Sequence, residues 1–156
     1  MVSFSYITKD DIDNVIKIYN SNTKFLKEHL DKEDVGKEFI IKELKEMKKM
    51  NFDSFKILYN NIIIGVCDVK FDNETYLSLL MIDNKFKNSG FGSKAFYEIE
   101  KMAKEFNSKS IRIDVVYGYD NSVTAFWLDK GFVIKEKVKF NWDKKSLDAY
   151  IMMKYI

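Results

Sequence analysis

The chain has 156 residues, 26 basic and 24 acidic side chains (net charge +2), 46% hydrophobic and 32% charged content: a globular mix whose even charge balance argues against a dedicated nucleic-acid or membrane surface. One Cys and one His exclude a disulfide framework and a multi-Cys/His zinc site, so no metal is expected. The longest apolar runs, Ile62–Cys67 and Leu77–Ile82, are too short to span a bilayer, and Met1–Ser5 shows no basic-then-apolar leader, so a cytoplasmic location is expected.

No repeat, low-complexity tract or linker interrupts the chain, and one domain over 1–156 is expected. Thr8, Asp10 and Asp11 mark a helix start, with Ile12, Val15, Ile16 and Tyr19 at helical spacing and Asn20-Ser21-Asn22 as its end. A helical turn follows around Lys24–Leu30. Asp34 is the expected cap of a helix to about Met50, with Val35, Phe39, Ile40, Leu44 and Met47 on one face. Its Lys run is interleaved with Glu38, Glu43 and Glu46, which reads as a solvated face rather than an anion patch. Phe55–Tyr59 and Ile62–Lys70 flank Asn60-Asn61, a tight-turn pair, and Thr75–Ile82 follows a second turn at Asp72-Asn73, which predicts an antiparallel meander.

Ser93–Phe106 is expected as an amphipathic helix with Ala95, Phe96, Ile99, Met102, Ala103 and Phe106 inward. Ile111–Val116 alternates as a strand, Asn121–Lys130 is a short helix closed by Gly131, and strands at about Phe132–Phe140 and Leu147–Tyr155 end the chain. The expected order is β-α-α-β-β-β-α-β-α-β-β. The unit 75–82, 93–106, 111–116 is β-α-β and its strands should be parallel. The expected class is α/β (α+β): a mixed, mostly antiparallel seven-stranded sheet with one central parallel pair and about four helices.

The most informative stretch is Phe86-Lys87-Asn88-Ser89-Gly90-Phe91-Gly92-Ser93, between a strand and a helix start. Free N–H groups there, with glycines that admit close approach, suit a phosphate or diphosphate, and Lys87 adds a cation. A tight strand-to-helix turn explains the same glycines. Neither the dinucleotide fingerprint nor the ATPase phosphate loop is present.

A second signature follows at Phe126-Trp127-Leu128-Asp129-Lys130-Gly131-Phe132. With the element order, the pair resembles the GNAT superfamily of N-acetyltransferases over about Phe55–Phe140. Lys87 to Gly92 stands for [Q/R]-x-x-G-x-[G/A], and Phe126 to Phe132 for F-Y-x-K-x-G-F. The resemblance implies a sheet splayed between 75–82 and 110–116 that admits acetyl-CoA. It implies that the backbone of Asn88, Ser89, Gly90, Phe91, Gly92 and Ser93 holds the diphosphate. Leu80, Met81 and Ile82 would pair with the pantetheine, Phe126 and Trp127 would lie near the thioester, and Asp120 or Asn121 would match a family Asn. Acetyl would pass to a primary amine, of a small molecule or a protein N-terminus, by direct attack.

Three departures bear on the chemistry. Lys87 replaces Gln or Arg; Trp127 replaces a Tyr that protonates the leaving thiolate, so CoA leaves as thiolate or Tyr117 or Tyr119 serves; Tyr76 stands where some members carry a base. Glu74, acting through water, is one candidate base, with Asp114 and Asp120 as rivals. An inactive acyl-CoA-binding module is the alternative reading, and a nucleic-acid binder using the Lys-rich helix is a third. Cys67 reads as a buried thiol and His29 as a surface or hydrogen-bonded histidine. Asp31, Glu33 and Asp34 read as part of a mixed field, with Lys24, Lys27 and Lys32 around them. Trp142, Tyr150, Met152 and Met153 read as core packing, with an acceptor pocket or a homodimer contact as alternatives.

Overall fold

Seven strands, among the residues described, hydrogen-bond into one sheet in the order β1-β2-β3-β4-β5-β7-β6. They are β1 (Val2–Tyr6), β2 (Asp53–Tyr59), β3 (Ile62–Lys70), β4 (Glu74–Ile82), β5 (Ser110–Val116), β6 (Val133–Trp142) and β7 (Lys145–Tyr155). The computed structural model describes residues 1–142 and 145–156; the Trp142 side chain, assigned above to core packing, lies outside the described residues. All pairings are antiparallel except β4 with β5. The helices are α1 (Ile12–Ser21), the single turn α2 (Thr23–Phe25) continued by a π turn at Leu26–Leu30, α3 (Lys37–Lys49), α4 (Phe91–Glu105) and α5 (Asn121–Asp129).

The unbroken buried run Ile64–Cys67 on β3 places buried side chains on both faces of the sheet. On one face α4 supplies Ala95, Phe96, Ile99 and Ala103, all fully buried, against Ile57, Cys67, Ile111 and Ile113. Phe96, Trp127 and Phe132 meet edge to face with centroids 5.3 to 5.5 Å apart, a geometry that adds to their burial. On the other face α1 and α3 bury Val15, Ile18 and Ile40 against Val66 and Met81.

Several boundaries differ from expectation for identifiable reasons. Asp34 does not cap α3; Gly36 does. The Asn20 amide exchanges two hydrogen bonds with the Val35 backbone (2.8 and 3.1 Å), and Val35 is buried, so the chain is pinned until that point. Helix α4 begins at Phe91, because Gly90 takes a left-handed φ of 83° and turns the chain directly into the helix. Phe106 is not inward: it is the helix-end residue, 54% exposed, with its ring against Phe71. The Asn60-Asn61 turn has both residues at positive φ, and Gly131 is left-handed after α5, as the sequence indicates. The α3 lysines Lys42, Lys45, Lys48 and Lys49 are exposed to solvent.

Candidate active site

The site is built on the one parallel pair. β4 and β5 pair at only three positions, Glu74–Ser110, Thr75–Ile111 and Tyr76–Arg112. Beyond these, β4 stays on β3 and β5 stays on β7, so the two strands diverge toward their carboxyl ends. The wedge exposes the backbone edge of β4 from Leu77 to the Ile82 N–H, donors and acceptors open to an extended ligand up to the Ile82 carbonyl, which is taken. Ser78 has no partner on β3, between the pairs Val69–Leu77 and Asp68–Leu79; such a bulge twists the strand and re-aims its backbone. The Ile82 carbonyl accepts the Asn22 amide at 3.1 Å, which ties the end of α1 to the end of β4.

At the wide end of the wedge lies the glycine turn. Asn88 (φ 62°) and Gly90 (φ 83°) are both left-handed. The first helical bond of α4 runs from Lys94 N–H to the Gly90 carbonyl, 3.1 Å. Among the described residues, no acceptor meets the backbone N–H groups of Asn88, Ser89, Gly90, Phe91, Gly92 or Ser93. Consecutive N–H groups in such a turn form a concave anion site, reinforced by the helix dipole. A Cβ at Gly92 would meet only the Phe126 ring, at 3.6 Å, so the protein itself does not require glycine there. Partial burial pulls the Lys87 ammonium down in pKa, offset by Asp120 and helped by Lys24. Asp120 caps α5 by accepting Ser122 N–H (3.0 Å) and Oγ–H (2.6 Å), and these bonds hold its carboxyl below the usual range. Asn121 is exposed at the first position of α5.

At the narrow end three side chains interlock. The Tyr76 hydroxyl donates to Asp114. Arg112 donates to the same carboxylate from Nε (3.1 Å) and Nη2 (3.4 Å), and its guanidinium lies 4.7 Å from the Tyr76 ring centre. Burial first, then the Asp114 bond, raises the Tyr76 pKa and keeps the phenol protonated. Glu74 is exposed at the first rung of the pair. Tyr117 stacks on Tyr150 with centroids 4.1 Å apart. Tyr119 is hydrogen-bonded to His29 at 2.7 Å. Phe126 lies against Gly92, while the Trp127 indole is 8% exposed within the core. Cys67 is fully buried, which pushes its thiol pKa up, and Met152 is a core residue.

Arg112 was not singled out by the sequence reading, although a signal exists: it is the only arginine among 26 basic residues. A bidentate, stacked position is one that lysine cannot fill. Asn22 was read only as a helix end; its bond to Ile82 joins residues 60 apart, beyond any local pattern.

The acetyltransferase (GNAT) family profile matches residues 14–132, which include the wedge, the glycine turn and the Phe126–Phe132 signature. The chain belongs to the GNAT acetyltransferase family. As a GNAT acetyltransferase it is an acetyl-CoA-dependent acyltransferase. No curated protein matches it in sequence. Solved structures share its fold. An acetyltransferase from Thermus thermophilus superposes with TM-score 0.78 at 18% identity, over 99% of this chain and 97% of that one. The ribosomal-protein-S18-alanine N-acetyltransferase of Escherichia coli gives 0.75 at 14%, over 100% and 94%. The PaiA N-acetyltransferase of Thermoplasma acidophilum, in complex with coenzyme A, gives 0.70 at 16%, over 100% and 99%. No helix among the described residues is long and apolar enough to cross a membrane.

Proposed function

We propose that this GNAT acetyltransferase, acting as one domain over residues 1–156, moves acetyl from acetyl-CoA to a primary amine by direct attack. The acceptor is a small molecule or a protein N-terminus, in the cytoplasm. The observation that carries the reading is the run of six backbone N–H groups without acceptors, Asn88 to Ser93, at the mouth of a wedge with a free β4 edge. These groups fit a diphosphate, with Lys87 beside them. The backbone of Leu80, Met81 and Ile82 fits the pantetheine amides, Asn121 flanks the mouth, and Phe126, whose ring backs Gly92, and Trp127 serve the thioester end.

Acetyl-CoA supplies the activated acyl group. The chain supplies position and proton transfer. The Tyr76 oxygen takes a proton from the attacking amine as its own proton passes to Asp114, which Arg112 orients; the C–N bond forms and the C–S bond breaks. Glu74, through water, is the rival base. Tyr117, whose hydroxyl no side chain engages among the described residues, donates to the departing thiolate. The Tyr119 hydroxyl is already committed to His29.

The alternative is an inactive acyl-CoA-binding module, favoured by Trp127 and Tyr76 standing in place of the family Tyr and carboxylate. The test is release of free CoA thiol from acetyl-CoA across a panel of primary amines and short peptides. Tyr76→Phe and Asp114→Asn should each lower kcat by about a hundredfold or more without weakening acetyl-CoA binding. Binding without thiol release on any amine supports the module; unchanged kcat in both variants refutes the proton route.

A further inference from the structure

The segment Asn22–Leu30 leaves the β4 half of the sheet and reaches the β5 half. Its start is fixed beside β4: Asn22 donates to the Ile82 carbonyl (3.1 Å), and Asn84 N–H donates to Ser21 Oγ (3.0 Å). Its apolar anchor is on the same side, since Leu26 is fully buried in the cluster with Val66 and Met81. Its far end touches the other half through polar contacts. His29 Nε2 lies 2.7 Å from the Tyr119 hydroxyl, three residues beyond the end of β5. Lys145 Nζ, at the start of β7, donates to the Lys27 carbonyl at 3.0 Å. The segment therefore crosses the opening between the diverging ends of β4 and β5.

Its local structure suits a moving part. Leu26–Leu30 is a π turn, a conformation that is rare and concentrated at functional sites. It ends at Asp31, left-handed with φ 55°. The His29 ring packs on Phe25 with centroids 4.4 Å apart, which fixes its aim at Tyr119. Apolar burial on one side, against two hydrogen bonds and one edge-to-face ring contact (His29 with Tyr119, centroids 5.7 Å apart) on the other, make the β4 side a hinge and the β5 side a latch. A latch of that kind opens at modest cost, because an intramolecular hydrogen bond is worth little net of water.

We propose that Asn22–Leu30 is a strap hinged on β4 and latched by His29 and Tyr119, and that unlatching gates the exchange of acetyl-CoA. The proposal rests on the cofactor reading above and assigns His29 and Tyr119 as positioning residues. The charged and titratable groups facing the latch are Tyr119, Asp120 and Lys145, with Glu28 on the strap itself.

Rapid mixing of acetyl-CoA with wild type, Tyr119→Phe and His29→Leu tests it. Tyr119→Phe removes one oxygen and keeps the ring; the single histidine gives one Hε1 resonance, whose shift in Tyr119→Phe reports loss of the bond. A gate predicts that association and dissociation both speed up, each by about tenfold, while Kd changes less than either rate. Faster dissociation with unchanged association would mean a lost direct contact and would overturn the gate. Wild-type rates in both variants would overturn it too, with the cofactor reading intact. No acetyl-CoA binding by folded wild type would overturn both.

Discussion

Asp68 and His29 should make the pH dependence of stability a balance of two opposed groups. Asp68 lies on β3 beneath α3; burial, moderated by the 2.5 Å bond from Ser54 Oγ and reinforced by Glu43, pushes its pKa from 3.8 up to about 6. Its folded state binds a proton that the unfolded chain lacks between those values. Its cost is therefore full above pH 6 and fades as pH falls toward 3.8. At about 1.4 kcal/mol per pH unit that cost is about 3 kcal/mol. His29 runs the other way: burial, then the Lys145 charge, lowers its pKa from 6.5 to about 4. Its neutral folded form is fully favoured above 6.5 and loses about 3 kcal/mol as pH falls to 4. Wild type should therefore change little between pH 6.5 and 4.5. Asp68→Asn, which keeps an acceptor for Ser54, should be more stable at pH 7.5 by about 2–3 kcal/mol, raising Tm by about 4–12 °C. It should then lose stability on acidification, whereas His29→Asn should gain. Urea denaturation at four pH values from 4.5 to 7.5 reads all three slopes. Parallel profiles for wild type and Asp68→Asn would refute the reasoning, since a normally titrating carboxylate has nothing to remove.

Trp127→Ala should cost about 3–5 kcal/mol by opening a cavity between Phe96 and Phe132, while Trp127→Phe should keep most of the turnover. Abolished turnover in a stably folded Trp127→Phe would instead place the indole N–H in the chemistry. Gly131→Ala should cost about 1–2 kcal/mol in denaturant titration, because its φ is 95° and its Cβ would stand 3.3 Å from Lys154 Cε. A neutral effect there would mean that the α5 end relaxes freely.

What could be read from the sequence was local. The strand alternation at 111–116, the Asn60-Asn61 turn and the inward face of Ala95, Phe96, Ile99 and Ala103 follow from periodicities of two and 3.6, and all appear in the structure. The glycine turn was legible because it needs special φ values within a few residues. The Tyr76–Asp114–Arg112 network was not, since it joins two strands whose register is set by α4 between them. Asp34 misled because good capping chemistry two residues early is overridden by the Asn20 clamp on Val35. Phe106 misled because helical spacing continues past the point where the helix ends over the sheet.

The central claim is that the turn at Asn88–Ser93 binds the diphosphate of acetyl-CoA. Calorimetric titration of wild type, Gly92→Asn and Gly92→Asp with acetyl-CoA tests it most directly. The two variants share a shape that position 92 accommodates and differ by one negative charge, which a helix start tolerates in the folded protein. The account predicts micromolar binding by wild type and at least about tenfold weaker binding by Gly92→Asp than by Gly92→Asn. Equal affinities for the two variants, or no binding by folded wild type, would contradict it.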